Sequence, residues 1–248
     1  MSGPLLELRN IHKRFGAIHA LEGVDLSLGR GEVVGLMGDN GAGKSTMVKI
    51  IAGNFQPSEG DIRLDGEPVR FANSVDARSR GIEVVYQDLA LCDNLTAADN
   101  VFLGREIKRR IGPFRFLDFR AMAKRSAELF AELQSETRPR DVVSMMSGGQ
   151  RQAVAIARTR LSNAGIVLMD EPTAAISVRQ VAQVLDLIKR LRDSGVTVIL
   201  ISHRMPDVFT VADRLVVLRR GRKVADKAIV DSSPEEATGL ITGAIEAA

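Results

Sequence analysis

The residues Gly38-Asp39-Asn40-Gly41-Ala42-Gly43-Lys44-Ser45-Thr46 combine types and a spacing suited to one task, the holding of a polyphosphate. They fit the pattern G-x-x-x-x-G-K-[ST]. Glycines let successive backbone N–H groups turn inward around a phosphate with no side chain in the way. Lys44 can reach β- and γ-phosphate oxygens as a point charge, and the Ser45 hydroxyl can ligate Mg²⁺. A helix opening at Ser45 would turn its positive end toward the same phosphates.

A second group of chemically able residues lies downstream. Asp170-Glu171 follows the apolar run Ile166-Val167-Leu168-Met169, and two acids at the end of a buried strand serve no packing purpose. Ligands of open α/β sheets gather at that edge. Asp170 is suited to hold Mg²⁺ directly or through water, and Glu171 to polarise an attacking water. His203 follows the run Val196 to Ile201 at the same kind of edge, where it can donate to a phosphate oxygen or serve a structural role. Ser147-Gly148-Gly149-Gln150 is a second anion-binding terminus: the serine caps a helix and the glycines bare its first N–H groups. Gln87, at the end of a short strand, can offer an amide oxygen to a metal or water, although most glutamines are simply solvated. Phe15, beside Lys13 and Arg14, can stack on a nucleotide base or cap a small sheet, and spacing alone leaves the two open.

The elements that must position these groups read as follows. Glu32 to Met37 is a strand leading into the phosphate loop, and Ser45 to about Ala52 is a buried helix leading out. Leu5 to Arg9 and Val24 to Leu28 have the alternation of antiparallel strands. Pro57-Ser58-Glu59-Gly60 is a turn, and Asp61 to Gly66 begins another hairpin. Gly81 to Tyr86 is a further strand. From about Asp88 to Ser162 helical spacing replaces strand alternation, as in Phe119 to Leu133, with Met122, Leu129, Phe130 and Leu133 as its apolar residues. In this stretch Arg105, Lys108, Arg109, Arg110, Arg115, Arg120, Lys124 and Arg125 outnumber Glu106 and Asp118, as on a solvated face or one near anionic headgroups. Helices are also expected over Gln152 to Leu161, over the stripe Val178 to Leu191, and from about Pro234. Arg214 to Leu218 begins a hairpin.

Composition sets the bounds. At 248 residues, with 45% hydrophobic and 26% charged, the chain suits one large soluble domain or two lobes. A formal charge of +3 is too small to imply a nucleic-acid partner, and none is expected. Cys92 is the single cysteine, which excludes a disulfide framework and a cysteine-based zinc site and fits a reducing compartment. No apolar run has the length of a membrane span, and the N-terminus lacks the pattern of a signal peptide, so a membrane role is expected to come through a partner.

Taken together, these motifs resemble the nucleotide-binding subunit of ABC transporters over nearly the whole chain. Gly38 to Thr46 matches the Walker A loop, Gln87 the Q-loop, Ser147 to Gln150 the family signature (with Met146 where leucine is usual), Ile166 to Asp170 Walker B, Glu171 the catalytic glutamate and His203 the switch histidine. Phe15 falls where the family stacks an aromatic on adenine. The resemblance implies a P-loop α/β fold: a mainly parallel central sheet, an N-terminal antiparallel β-subdomain, and an inserted helical subdomain over 88–162, with 1–87 and 163–248 forming the core of a single ATPase domain. It also implies ATP and Mg²⁺ (held by Ser45, Gln87 and Asp170). Two copies would meet head to tail, so that each signature acts on the ATP of the other. A transmembrane permease would dock near Gln87, and an extracytoplasmic solute-binding protein would act indirectly. The location implied is peripheral, on the cytoplasmic face of the bacterial inner membrane. Asn100 to Glu106 looks like the segment of monosaccharide importers, many of which fuse two copies where this chain has one. An exporter ATPase and a soluble ABC protein share the same catalytic motifs. After Glu171-Pro172-Thr173, the usual D-loop aspartate is Ser177.

Overall fold

The structure, a computed structural model, describes residues 3–174 and 176–245; Met1, Ser2, Ala175 and the last three residues lie outside it. Along the chain come β1 (Leu6–Phe15), β2 (Ile18–Leu28), β3 (Val33–Met37), α1 (Lys44–Ile51), β4 (Glu59–Leu64), β5 (Glu67–Val69), α2 (Ser74–Ser79) and β6 (Ile82–Val85). There follow α3 (Ala97–Phe102), β7 (Lys108–Ile111), β8 (Phe114–Leu117), α4 (Phe119–Glu132) and α5 (Gly148–Leu161). The chain closes with β9 (Ile166–Asp170), α6 (Val178–Asp193), β10 (Thr197–Ile201), α7 (Met205–Val211), β11 (Arg214–Arg219), β12 (Arg222–Ala228) and α8 (Pro234–Thr242).

Two compact units emerge. The first takes residues 3–84, 164–171 and 188–245. It holds a four-stranded sheet in the order β2-β1-β4-β5, antiparallel throughout, and a six-stranded sheet in the order β12-β11-β3-β10-β9-β6. In the latter, β11, β3, β10 and β9 run parallel, and β12 is added antiparallel to β11. Strands β3, β9 and β10 are apolar without alternation, as a sheet covered on both faces requires. One apolar core joins the two sheets through α1, whose Met47, Val48, Ile50 and Ile51 are all buried. Each such side chain contributes roughly 1.5–3 kcal/mol by leaving water.

The second unit takes Val85–Asn163 and Pro172–Leu187. Helices α3, α4 and α5 pack on one another, and Met122, Leu129 and Phe130 of α4 form its buried stripe, with Leu133 just beyond. Asn100, fully buried on α3, accepts from the Cys92 N–H at 2.8 Å and donates to the carbonyls of Cys92 and Thr96, both at 3.0 Å. A buried amide satisfied at three points pins the segment before α3.

The structure corrects the sequence reading in several places; β4, for one, begins at Glu59, inside the expected turn Pro57 to Gly60, where it pairs with His12 of β1. Within 88–162, where strands were not expected, β7 and β8 form an antiparallel hairpin closed at Gly112-Pro113. Strand β1 continues through His12 to Phe15, because Gly16, at φ +58°, makes the tight turn into β2. Helix α5 begins at Gly148 rather than Gln152, immediately after its cap.

Candidate functional site

Parallel register places the chemistry on one edge. Leu36 of β3 pairs with Ile201 of β10, and Ile201 pairs with Asp170 of β9. One row further along, the three strands give way to the phosphate loop, to Ser202-His203 and to Glu171. The sequence-predicted loop, acids and histidine therefore converge at the carboxyl end of adjacent strands, where open α/β sheets bind ligands.

The loop's shape depends on contacts that exclude side chains. At Gly38 (φ +151°) a Cβ would stand 2.3 Å from the Leu218 carbonyl oxygen of β11; at Gly43 (φ +106°) it would stand 2.8 Å from the Ala20 carbonyl. Gly43 leads into α1 with no side-chain cap, which leaves the first N–H groups of the helix, from Lys44, Ser45 and Thr46, open to an anion. Asp39, Asn40 and Ala42 line the outside of the loop, with the Ala42 N–H bonded to the Asp39 carbonyl at 3.1 Å. The Lys44 ammonium is held by the carbonyls of Gly38 (2.6 Å) and Asp39 (3.0 Å). Of its three donors one is left for a ligand. Burial lowers its pKa, against the raising charges of Glu171, Asp39 and Asp170.

The acids are distinct in kind. Asp170 is pushed above the ordinary aspartate range by burial and then by the charge of Glu171, with Lys44 and Lys49 pulling back. Glu171 sits at φ +50°, a strained setting for a side-chain-bearing residue, fixed by its N–H bond to the Ile201 carbonyl at 2.9 Å. The backbone N–H of His203 donates to Glu171 Oε1 at 3.0 Å. Ring atom Nδ1 of His203 lies 2.8 Å from Oε2, yet off line, so that Oε2 is buried without an aligned donor. The carboxylate is only 16% exposed, whereas the imidazole is 72% exposed.

In the second unit, Ser147 caps α5 in a reciprocal box: its Oγ accepts from the Gln150 N–H at 3.3 Å, and its own N–H donates to Gln150 Oε1 at 2.9 Å. The glycines that follow have a local packing reason as well. A Cβ on Gly148 would stand 2.6 Å from Ile176 Cγ2, and one on Gly149 would stand 2.9 Å from Gln183 Oε1. Gln87 is exposed in the turn after β6. In the first unit, Phe15 is 42% exposed and meets Phe55 edge-on, with centroids 5.3 Å apart, while Lys13 Nζ lies 5.1 Å from its ring centroid.

Residues 21–174 match the family described as ABC transporter. The chain is 45% identical to the fructose import ATP-binding protein FrcA of Rhizobium meliloti, over 98% of its own length and 95% of that protein's. The chain belongs to the ABC transporter family.

The cassette is also 45% identical to the xylose/arabinose import ATP-binding protein XylG of Sulfolobus acidocaldarius, covering 96% of this chain and 94% of that one. A ribose import ATP-binding protein of Caldanaerobacter subterraneus is 39% identical over 97% of this chain, which spans 48% of that longer protein. Among solved structures, a dimeric post-hydrolysis ATP-binding cassette bound to ADP and Pi has a TM-score of 0.74 at 29% identity, covering 90% of this chain and 98% of that one. A nucleotide-free cassette matches in fold with a TM-score of 0.81 at 23% identity, covering 94% and 97%. The protein is thus a nucleotide-binding ABC ATPase with a P-loop fold. Among the described residues, no helix is long and apolar enough to cross a membrane.

Sequence reasoning missed the support behind the cassette's phosphate loop. Gly221, in the β11–β12 turn, donates its N–H to the Ala42 carbonyl at 3.0 Å and accepts from the Glu22 N–H at 2.8 Å. The only signal was the glycine in Arg219-Arg220-Gly221-Arg222, which reads as an ordinary hairpin turn.

Proposed function

We propose that this cassette powers monosaccharide uptake through separate transmembrane permease subunits, working as a homodimer on the cytoplasmic face of the inner membrane, with an extracytoplasmic binding protein delivering the sugar. The observation that carries this reading is the near full-length identity to single cassettes named for fructose and for xylose/arabinose import. The dimeric cassette structures at 28–29% identity support the pairing.

The site residues take the roles read from the sequence, and the geometry around Lys44, Asp170, Glu171 and His203 supports them. The loop Gly38 to Thr46 cradles the phosphates, Lys44 spends its remaining donor on them, and Phe15 offers an aromatic face to the base. Ser45 and Asp170 would supply hard oxygen donors suited to Mg²⁺, a role the partly buried Asp170 carboxyl with its raised pKa supports, and the sequence assigns Gln87 as a further oxygen donor. When bound, Mg²⁺ would neutralise charge on the phosphoryl oxygens. Glu171 is the general base. Its Oε1 is anchored by the His203 backbone, and its Oε2, covered by the His203 ring at 2.8 Å, would take a proton from the attacking water once that exposed ring turns to the γ-phosphate. His203 keeps its exposed ring at the same edge, where it can donate to the γ-phosphate. Ser147, Gly148, Gly149 and Gln150 act on the ATP of the second copy. Residues 1–87 and 163–248 serve as the ATPase core, and 88–162 as the helical subdomain that reads the permease.

Reconstitution with the cognate permease tests this. ATPase activity is expected to rise when a monosaccharide-loaded binding protein is added. Stimulation by hydrophobic drugs, with no response to any sugar-loaded binding protein, would assign the cassette to export instead.

A further inference from the structure

The β7–β8 hairpin takes no part in the chemistry above, yet every residue from Lys108 to Leu117 is exposed. That includes Ile111 (51%), Phe114 (66%) and Phe116 (49%), and Phe119 beyond the hairpin is 60% exposed. Exposed large apolar groups scattered singly are normal; a cluster is informative. Cross-strand register sorts the side chains, since directly opposed residues share a face. The pairs Arg109–Phe116 and Ile111–Phe114 lie on one face, and Lys108–Leu117 and Arg110–Arg115 on the other. One face is therefore apolar with a single arginine, and the other is basic with a single leucine.

Charge is concentrated in the same place. Residues 105–125 hold eight Lys or Arg against two acids, an excess of six, whereas the whole chain carries +3, so everything outside this stretch sums to −3. Among the described residues Arg109 and Arg115 make no ion pair, and Arg110 bonds only the Gly112 carbonyl at 3.1 Å. Two such hairpins brought face to face would repel one another. The cavity beside the phosphate loop is lined by Asp39, Asn40, Arg220 and Thr242 among others, and by no residue of the hairpin.

We propose that the β7–β8 hairpin is a lipid-contacting element that lays Ile111, Phe114 and Phe116 into the interface of an anionic bilayer while its arginines and Lys108 reach the headgroup phosphates. Long basic side chains can keep their charge at the headgroups while their stems lie on apolar surface, and anionic leaflets attract basic segments within a Debye length. The inference rests on the membrane-peripheral reading for its setting, but its vesicle titration needs neither permease nor nucleotide.

The chain contains no tryptophan, so Phe114→Trp in the full-length protein places the only indole at the hairpin. This variant is titrated with vesicles of phosphatidylglycerol and phosphatidylcholine in equal parts, and with phosphatidylcholine alone. The expected result is a blue-shifted emission and co-sedimentation with the anionic vesicles only, weakened by salt. Replacing Arg109, Arg110 and Arg115 together by Gln should reduce partitioning about 100-fold, from the ~1 kcal/mol each basic group contributes near an anionic surface. Phe116→Ser should reduce it about tenfold or more, through lost apolar burial. Equal binding to both vesicle types, or unchanged binding by the triple variant, would overturn the proposal. So would a triple variant that binds vesicles like the parent but no longer assembles with the permease, which would make the hairpin a protein-docking element. A protein that binds anionic vesicles as expected but hydrolyses no ATP would support the lipid contact while removing the transport reading.

Discussion

His203 meets Glu171 twice, through its backbone N–H at 3.0 Å from Oε1 and through ring Nδ1 at 2.8 Å from Oε2. Only the first contact is an aligned hydrogen bond, so the orientation of the base rests on main chain. Removing the ring leaves that anchor in place. His203→Ala is therefore expected to keep its KM for ATP within about threefold and to lower kcat by roughly 10²-fold, and Glu171→Gln to lower it further, in the range of about 10²–10⁴ for a lost general base. The double variant should be no slower than Glu171→Gln alone, because the two groups act as a unit. Multiplied losses in steady-state kinetics would separate them.

The glycines of the phosphate loop are not equivalent. Gly38→Ala drives a Cβ to 2.3 Å from the Leu218 carbonyl, whereas Gly41→Ala meets nothing within 4 Å and bears only the strain of φ +79°. The second change should cost about 1–2 kcal/mol of stability and retain nucleotide binding. The first should abolish binding and lower the melting temperature far more. Thermal denaturation and titration with a fluorescent nucleotide check the order; a reversal would mean that β11 does not prop the loop.

Ionised Asp170 is expected to destabilise the nucleotide-free protein at neutral pH. Its carboxyl titrates higher in the folded chain than in the unfolded one, because burial and the Glu171 charge disfavour ionisation. The folded state thus holds a proton that the unfolded state has released over the interval between the two values. The group's contribution to stability is most favourable below the unfolded value and declines as pH rises through the folded one. Asp170→Asn should then melt higher than the parent at pH 7 without Mg²⁺ or nucleotide, with the gain shrinking toward acid pH and ATPase activity lost. A variant that melts no higher at pH 7 would refute the burial argument.

Ser177 is a helix cap in the structure: its Oγ accepts from the Gln180 N–H at 3.4 Å, and its N–H donates to Gln180 Oε1 at 2.9 Å. Ser177→Ala should lose about 1 kcal/mol and Ser177→Asp almost nothing, since aspartate caps equally well. In the homodimer, the added charge should also lower the ATP concentration needed for pairing, because a charge-assisted bond is about twice as strong as a neutral one. Sedimentation at graded ATP reads this directly. Unchanged pairing with an unchanged melting temperature would confine Ser177 to capping.

What could be read from the sequence was whatever chemistry demands of residue type. A phosphate loop needs Gly38, Gly43 and Lys44 at fixed spacing, and Asp170-Glu171 stands out because acids rarely end a buried strand. Strands β3, β9 and β10 were legible as unbroken apolar runs. The β7–β8 hairpin was not. Its strands have four residues each and both faces are exposed, so no alternation of buried and solvated positions betrays them, and the run of arginines hides Gly112-Pro113, the one turn signal. The clamp made by Asn100 was equally hidden, because a buried asparagine with three backbone partners looks in sequence like any solvated one. The double role of Gly148 and Gly149 emerged only when Ile176 and Gln183 were seen against them.

The support that Leu218 and Gly221 give to the phosphate loop is made of backbone atoms. The brace has one side-chain addition beside it: Arg222 is held by Glu22 Oε2 at 2.7 and 2.9 Å. Position 221 is closed to substitution, since a Cβ there would crowd the Ala20 carbonyl at 3.0 Å on a backbone at φ +77°. The change this corner cannot absorb is one of length. A single residue inserted or deleted between Leu218 and Arg222 would slide both props off the loop together, and such lengths should be rigid.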